Sequence, residues 1–167
     1  VSRHMDPLSP SVITVGQFNA GSAFNVIPEV ATLAGTARTF DRSVWKSWPG
    51  RIESVVRGVC SAMGADYEIS FDPGYPPTVN DPGMSDTVIA AAEKVVGSEQ
   101  VVVPSRTLGG EDMAFFLEKV PGCFFCLGAG NSAYAGIHNP RFDFNERIMQ
   151  NGVETYCRVA LDKLARR

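Results

Sequence analysis

The chain has only two histidines, His4 and His138, among its 167 residues. No Ser-His-Asp or Cys-His arrangement is apparent, so the sequence offers no protein nucleophile with a ready base. It lacks a positive excess: net charge is −3 and the isoelectric point is near 5.4. A nucleic-acid partner is therefore not expected, since phosphate binding needs a basic face. Long hydrophobic runs are missing too. None approaches the ~20 residues that a bilayer demands, so no membrane span is expected. No signal-peptide pattern opens the chain. Its first residues read like the tail of a helix, and a fragment of a longer protein is expected. The four cysteines (Cys60, Cys123, Cys126 and Cys157) are too few to impose a disulfide framework at this length. Cys123 and Cys126 form a single CxxC with no second pair. They lie in the apolar run Gly122-Cys123-Phe124-Phe125-Cys126-Leu127, where core cysteines are the expectation rather than metal ligands.

What is present is ordinary globular material. A hydrophobic fraction of 44% with 20% charged residues argues for a packed fold and against disorder. Residues 11–18 alternate and are rich in β-formers, which predicts a strand. A second strand is predicted over residues 30–40, with Pro28 at its start. Asp41 is a candidate N-cap for a helix carrying Val44, Trp45, Trp48, Ile52, Val55, Val56, Val59, Cys60 and Met63 at helical spacing. Pro49-Gly50 should kink or split it, and Gly64 should end it. Residues 65–71 alternate polar and apolar and predict a third strand with one wet face. Strand, strand, helix, strand is most of a βαββαβ ferredoxin-like sandwich.

Residues 72–82 are dense in proline and read as an extended linker and domain boundary. Beyond it, a helix is expected over residues 84–96, with Val88, Ile89, Ala92, Val95 and Val96 on its apolar stripe and Gly97 at its end. Short buried strands are expected over 100–103 and 123–127. A short amphipathic helix is expected over 111–119, and a final helix over 145–166 with Asn145 as N-cap. Helices alternating with short strands suggest an α/β layer. Phe115, Phe116, Phe124 and Phe125 are expected in the core.

Three polar features could carry chemistry. His138 sits in Gly136-Ile137-His138-Asn139-Pro140, between a run of small residues and a proline. That frame suits a metal ligand or a proton carrier, and equally an imidazole that only hydrogen-bonds within its loop. Asn25 and Arg38 bracket a strand. The guanidinium, flanked by Thr36, Ala37 and Thr39, could present a fork to a carboxylate, or be a plain surface arginine beside a turn asparagine. Gly109-Gly110-Glu111-Asp112 could bring backbone amides to an anion at a helix start, or be a tight turn with acidic residues favoured by the helix dipole.

Four segments occur in order: Asn25-Val26-Ile27-Pro28, Gly35-Thr36-Ala37-Arg38-Thr39-Phe40, Gly109-Gly110-Glu111-Asp112-Met113-Ala114 and His138-Asn139-Pro140-Arg141-Phe142. Together they resemble the M20 metallopeptidases, specifically the amidohydrolase branch of hippurate hydrolases and N-acyl-amino-acid deacetylases. The resemblance covers effectively the whole chain. It implies an α/β (α+β) architecture. Residues 1–75 would be a partial ferredoxin-like lid, or dimerisation, domain, and residues 76–167 the C-terminal part of a catalytic domain.

The resemblance further implies that His138 is a metal ligand, and that Asn25 and Arg38 bind the substrate carboxylate. Gly109 and Gly110 would border the pocket. It implies two divalent ions in the whole protein, zinc first, with manganese, cobalt or nickel as other options. Metal-activated water would cleave an N-acyl amino acid of hippurate, N-acetyl-amino-acid or N-acetyl-diaminopimelate type, with a homodimer formed through the lid and a cytoplasmic location. The family's His-x-Cys-Gly-His-Asp-x-His stretch, its Glu-Glu pair and its lid histidine are absent from these residues, and His4 is no substitute. The fragment itself is therefore expected to be metal-free and inactive. A dimerisation or binding module, and a dipeptidase or carboxypeptidase of the same family, are the alternatives.

Overall fold

The computed structural model describes residues 5–6, 8–130 and 134–165. The readings that fall on Val1–His4, on Asn131–Ala133 and on Arg166 lie outside these. The chain divides into two compact units, residues 1–78 with 107–115, and residues 79–106 with 116–167.

In the first unit, β1 (Ser11–Ala20) and β2 (Ala31–Thr39) pair antiparallel, with Ser11 opposite Thr39 and Ala20 opposite Ala31. The register slips by one residue between Val15 and Gln17, leaving Gly16 as the extra residue of a bulge. Gly35 lies opposite, so close to β1 that a Cβ would strike the Thr14 carbonyl oxygen. Only the absence of a side chain allows that approach.

α1 (Arg42–Met63) follows at once. Asp41 starts it as expected: its carboxylate accepts from the Ser43 and Val44 amides at 2.7 and 3.0 Å. The Ser43 hydroxyl, first, and these two amides hold the Asp41 carboxyl below its ordinary value. Gly64 ends the helix in the left-handed conformation (φ 65°). Ala65 N–H, one residue on, also reaches the Cys60 carbonyl, which closes a C-terminal cap. The expected split at Pro49-Gly50 does not occur, and α1 runs unbroken through Pro49. The ring removes one amide from the ladder, and the neighbouring turns hold the helix together. α1 packs on β2, and Trp48 (2% exposed) is the largest fully buried side chain. The Trp45 indole donates to the Pro73 carbonyl at 3.1 Å.

Burial is confined to that end of the ribbon. Val12, Ile13, Val15, Phe18 and Leu33 are all exposed. The third expected strand is not made: residues 65–71 join no ladder. Alternation marks a segment able to lie on a sheet, but a strand also needs a neighbour's open edge. Here the segment is held through a side chain, Tyr67 Oη donating to Glu53 Oε1 at 3.3 Å. Loss of hydration, and the nearby Glu53 carboxylate, raise the Tyr67 phenol above its ordinary value.

In the second unit, α2 (Pro82–Val96) starts two residues earlier than expected. Asp81 is its N-cap, accepting from the Met84 amide at 2.8 Å, with Pro82 as first helical residue. Val88 and Ala91 are buried, and α2 packs against α4 (Met149–Ala165). Asn145 caps the short 3-10 turn Glu146–Ile148 that leads into α4. Gly152 is buried on α4, where a Cβ would meet Leu127 Cδ2 at 3.1 Å.

The two short strands expected here do not form among the described residues. Val102 and Val103 are 75% and 85% exposed, so residues 100–103 are not a buried strand. Residues 122–125 are half-buried but pair with no strand. The core expectation fails for Phe116 (63% exposed) and Phe115 (46%), while Phe124 and Phe125 are half-buried. Cys123 is half-buried but Cys126 is exposed, and both are free thiols. Apolar runs state which residues seek burial, not whether a covering layer is present. The architecture is thus mixed, helices with one small antiparallel sheet. No described helix is long and apolar enough to cross a membrane.

Candidate functional site

Arg38 lies on β2 opposite Val12, near the end where the ribbon meets α1. Its Nη1 donates to the Leu108 carbonyl at 2.8 Å, seventy residues away in sequence. The structure therefore brings Arg38 to the turn that carries Gly109 and Gly110. Nε and Nη2 have no partner among the described residues, so the side-on edge of the guanidinium is open. That edge presents two parallel N–H donors, the geometry that grips a carboxylate.

Gly110 is exposed but has a ring at its side. A Cβ there would meet Tyr75 Cδ2 at 3.2 Å, so the Tyr75 ring lies against the Gly110 backbone. The same ring meets Phe115 edge-on, centroids 5.9 Å apart at 72°. Neither Tyr75 nor the Leu108 carbonyl was foreseen. Tyr75 lies in a stretch that reads as linker, and a backbone carbonyl leaves no mark in residue type.

The expected helix over 111–119 is shorter, α3 (Met113–Leu117). The Ala114 and Phe115 amides already bond to the Glu111 and Asp112 carbonyls at 3.2 and 3.1 Å. Five residues carry little dipole, so an anion site at this helix start is not supported. Asn25 sits exposed in the turn after β1, and no hydrogen bond joins its side chain to Arg38 or the glycines among the described residues.

His138 is in the second unit. Its backbone is left-handed at φ 67°, alone in this among described non-glycine residues. A turn explains why: Asn139 N–H returns to the Gly136 carbonyl at 3.2 Å, placing His138 where turns with a positive φ favour glycine. A second turn follows at once, Phe142 N–H to the Asn139 carbonyl at 2.9 Å, with Asn139 Oδ1 accepting from Arg141 N–H at 2.8 Å. The imidazole is exposed. Beside it, Gly136 and Ile137 help to line an open cleft of about 700 Å3 whose walls include Leu127, Phe142, Phe144 and Met149.

No three of His, Cys, Asp or Glu come together among the described residues in a way that could hold a metal ion. A hydrolytic metal needs about three protein ligands, and one imidazole falls short. The described residues do not fit a complete metal site by themselves.

Comparison with known proteins places this geometry. The family model described as peptidase family M20/M25/M40 matches residues 4–162. YhaA of Bacillus subtilis, which carries an amidohydrolase name, is 38% identical over 164 residues, covering 96% of this chain and 41% of YhaA. The N-acetyldiaminopimelate deacetylase of Streptococcus suis is 35% identical over 155 residues, 92% of this chain and 40% of that enzyme. The crystal structure of Bacillus subtilis YXEP, described as a dinuclear metal binding peptidase from the M20 family, superposes with a TM-score of 0.78. There the identity is 28%, over 93% of this chain and 42% of YXEP. The chain thus spans about 40% of the length of the curated relatives it matches. With four ordered motifs, a family match over almost its whole length and a shared fold, the chain belongs to peptidase family M20/M25/M40.

Proposed function

We propose that the whole protein is a metal-dependent amidohydrolase acting on N-acyl amino acids, of the hippurate, N-acetyl-amino-acid or N-acetyl-diaminopimelate type. The observation that carries this reading is the open Nε–Nη2 edge of Arg38, held beside the glycine turn by the Leu108 carbonyl. A substrate carboxylate bound there fixes one end of the molecule and leaves the amide to be presented elsewhere. Asn25 adds a donor from the same unit once a substrate draws its turn inward. Gly109 and Gly110, with no side chains, leave backbone room beside the fork.

His138 is offered as one metal ligand, and the exposed, strained turn that carries it supports this. Strain of that kind is kept where a side chain must be aimed. The described residues hold no complete ligand set, and on this reading the rest of the whole protein supplies the other ligands. Two divalent ions, zinc first, would supply an activated water in the whole protein. Residues 1–75 serve as lid and dimerisation domain, residues 76–167 as catalytic-domain part, and the location is cytoplasmic.

The test is elemental analysis and amide hydrolysis on the whole protein and on this chain side by side. Two ions and hydrolysis of an N-acyl amino acid by the whole protein, with neither in the chain alone, are expected. Hydrolysis by the chain alone, free of contaminants, overturns the division of labour. Absence of metal from the whole protein overturns the reading itself. A dimerisation module without catalysis is the second reading, favoured by the uncovered β1–β2 ribbon. It predicts a dimer whose upstream coding region lacks a metal-binding motif.

A further inference from the structure

Residues 107–115 pack with the first unit, although the chain on both sides of them belongs to the second. Two attachments to that unit stand out. At one end the Leu108 carbonyl accepts from Arg38 Nη1 at 2.8 Å. At the other the Tyr75 ring lies against the Gly110 backbone and meets Phe115 edge-on. Between them the segment is braced internally by the Ala114 and Phe115 amides. An exposed arginine side chain ordinarily samples many rotamers, and its fork is useful only in one orientation. Here a single backbone carbonyl occupies Nη1 and so selects which edge faces out.

We propose that residues 107–115 form a strap that orients Arg38 for a carboxylate, with Tyr75 as the positioning residue that holds the strap in place. The proposal rests on the reading of Arg38 as the carboxylate fork. Tyr75 touches no substrate. It acts by keeping the Leu108 carbonyl where Nη1 can reach it. The ring, not the hydroxyl, makes the contact, because Cδ2 and Cε2 are the atoms a Cβ on Gly110 would meet. Since coupling between sites is reciprocal, a carboxylate on Arg38 must in turn steady the strap.

The experiment titrates the chain with N-acetylglycine, using N-acetylglycinamide as the probe without a carboxylate. It reads the Arg38 Nε–H resonance and the exchange rates of the Ala114 and Phe115 amides. N-acetylglycine, and not its amide, is expected to shift the Arg38 signal and slow both exchange rates. Tyr75→Ala is expected to weaken N-acetylglycine binding roughly fivefold or more and to abolish the slowing, whereas Tyr75→Phe keeps both. A Tyr75→Ala chain that binds as tightly as wild type overturns the strap while leaving the carboxylate fork standing. An Arg38→Ala chain that binds like wild type, or a wild-type chain that does not distinguish acid from amide, overturns the fork and the strap together. Should Tyr75→Ala fail to fold, the wild-type exchange rates decide alone, and rates unchanged at saturating N-acetylglycine overturn the strap.

Discussion

Asn80 pairs with Phe124 as one strand residue pairs with another. The Phe124 amide donates to Asn80 Oδ1 at 2.8 Å, and Asn80 Nδ2 donates back to the Phe124 carbonyl at 2.8 Å. One residue on, the Asp81 amide donates to the Gly122 carbonyl at 2.9 Å. At Phe124, inside the segment expected to be a strand over 123–127, a side-chain amide thus takes the place of ladder bonds, and Gly122 just before it takes one backbone bond. A primary amide has the same donor and acceptor as a peptide group, which is why asparagine can stand in.

Asn80→Ala should therefore destabilise the second unit by about 2 kcal/mol, because it leaves both polar groups of half-buried Phe124 without partners. Asn80→Asp should cost at least as much, since a carboxylate would face the Phe124 carbonyl. Urea unfolding followed by the far-ultraviolet signal of the helices measures both. A midpoint unchanged in Asn80→Ala would show that water replaces the amide at no cost.

At the bulge, two neighbouring glycines should behave oppositely. Gly35→Ala places a Cβ into the Thr14 carbonyl and should cost about 1–3 kcal/mol. Gly16→Ala meets nothing within 4 Å and should be tolerated. Trp45 and Trp48 lie in the same unit, so tryptophan fluorescence during urea unfolding reads the difference.

Asp41 gives the first unit an acid limb. Its folded value is depressed, so its contribution is fully present above the unfolded value near 3.8 and is lost as pH falls through the folded value. Asp41→Asn keeps an acceptor oxygen at the cap but cannot titrate. The stability advantage of wild type over Asp41→Asn should be flat above about pH 5 and shrink on acidification. An advantage that stays constant down to about pH 2 would show that the carboxylate's charge is irrelevant to the cap.

His138→Gly should leave the chain as stable as wild type or more so, by about 0.5 kcal/mol. Glycine adopts φ 67° freely, though it also gives the unfolded chain more freedom. His138→Val should be clearly destabilising at the same position. In the whole protein, His138→Gly should lower metal content and activity, which separates the cost of the turn from the use of the imidazole.

Arg38→Ala in the whole protein should raise KM about tenfold with little change in kcat, equivalent to about 1.4 kcal/mol at an exposed site. Arg38→Lys should not restore it. One ammonium cannot serve the Leu108 carbonyl and a bidentate carboxylate together. Unchanged kinetics in Arg38→Ala would make it a surface arginine that only tethers the strap.

The helix boundaries that carry local caps were legible where the cap was seen, while the start of α2 and both ends of α3 were not. Asp41 answers to amides two and three residues on, Gly64 to the carbonyl of Cys60, and Asn145 to the amide of Arg147. β1 and β2 were legible because a single hairpin-like pairing satisfies both. The expected strands at 65–71, 100–103 and 123–127 were not made, because ladder bonds depend on a partner that the segment itself does not encode. Among the candidate site residues, His138 was marked out by the glycine and proline around it, and its left-handed turn fits that frame. Arg38 was marked only by its type and small neighbours.

By itself, then, the sequence determined the family, through four motifs in order, and the local chemistry of helix ends and turns, where the interacting groups are a few residues apart. Tertiary structure alone decided that Arg38 meets the Leu108 carbonyl, that the Tyr75 ring lies beside Gly110, and that Asn80 stands in for a strand residue opposite Phe124. Those partners lie some tens of residues apart, and the bonds run largely to main-chain atoms. Every residue carries the same carbonyl and amide, so only the folded path of the chain selects which of them a side chain finds.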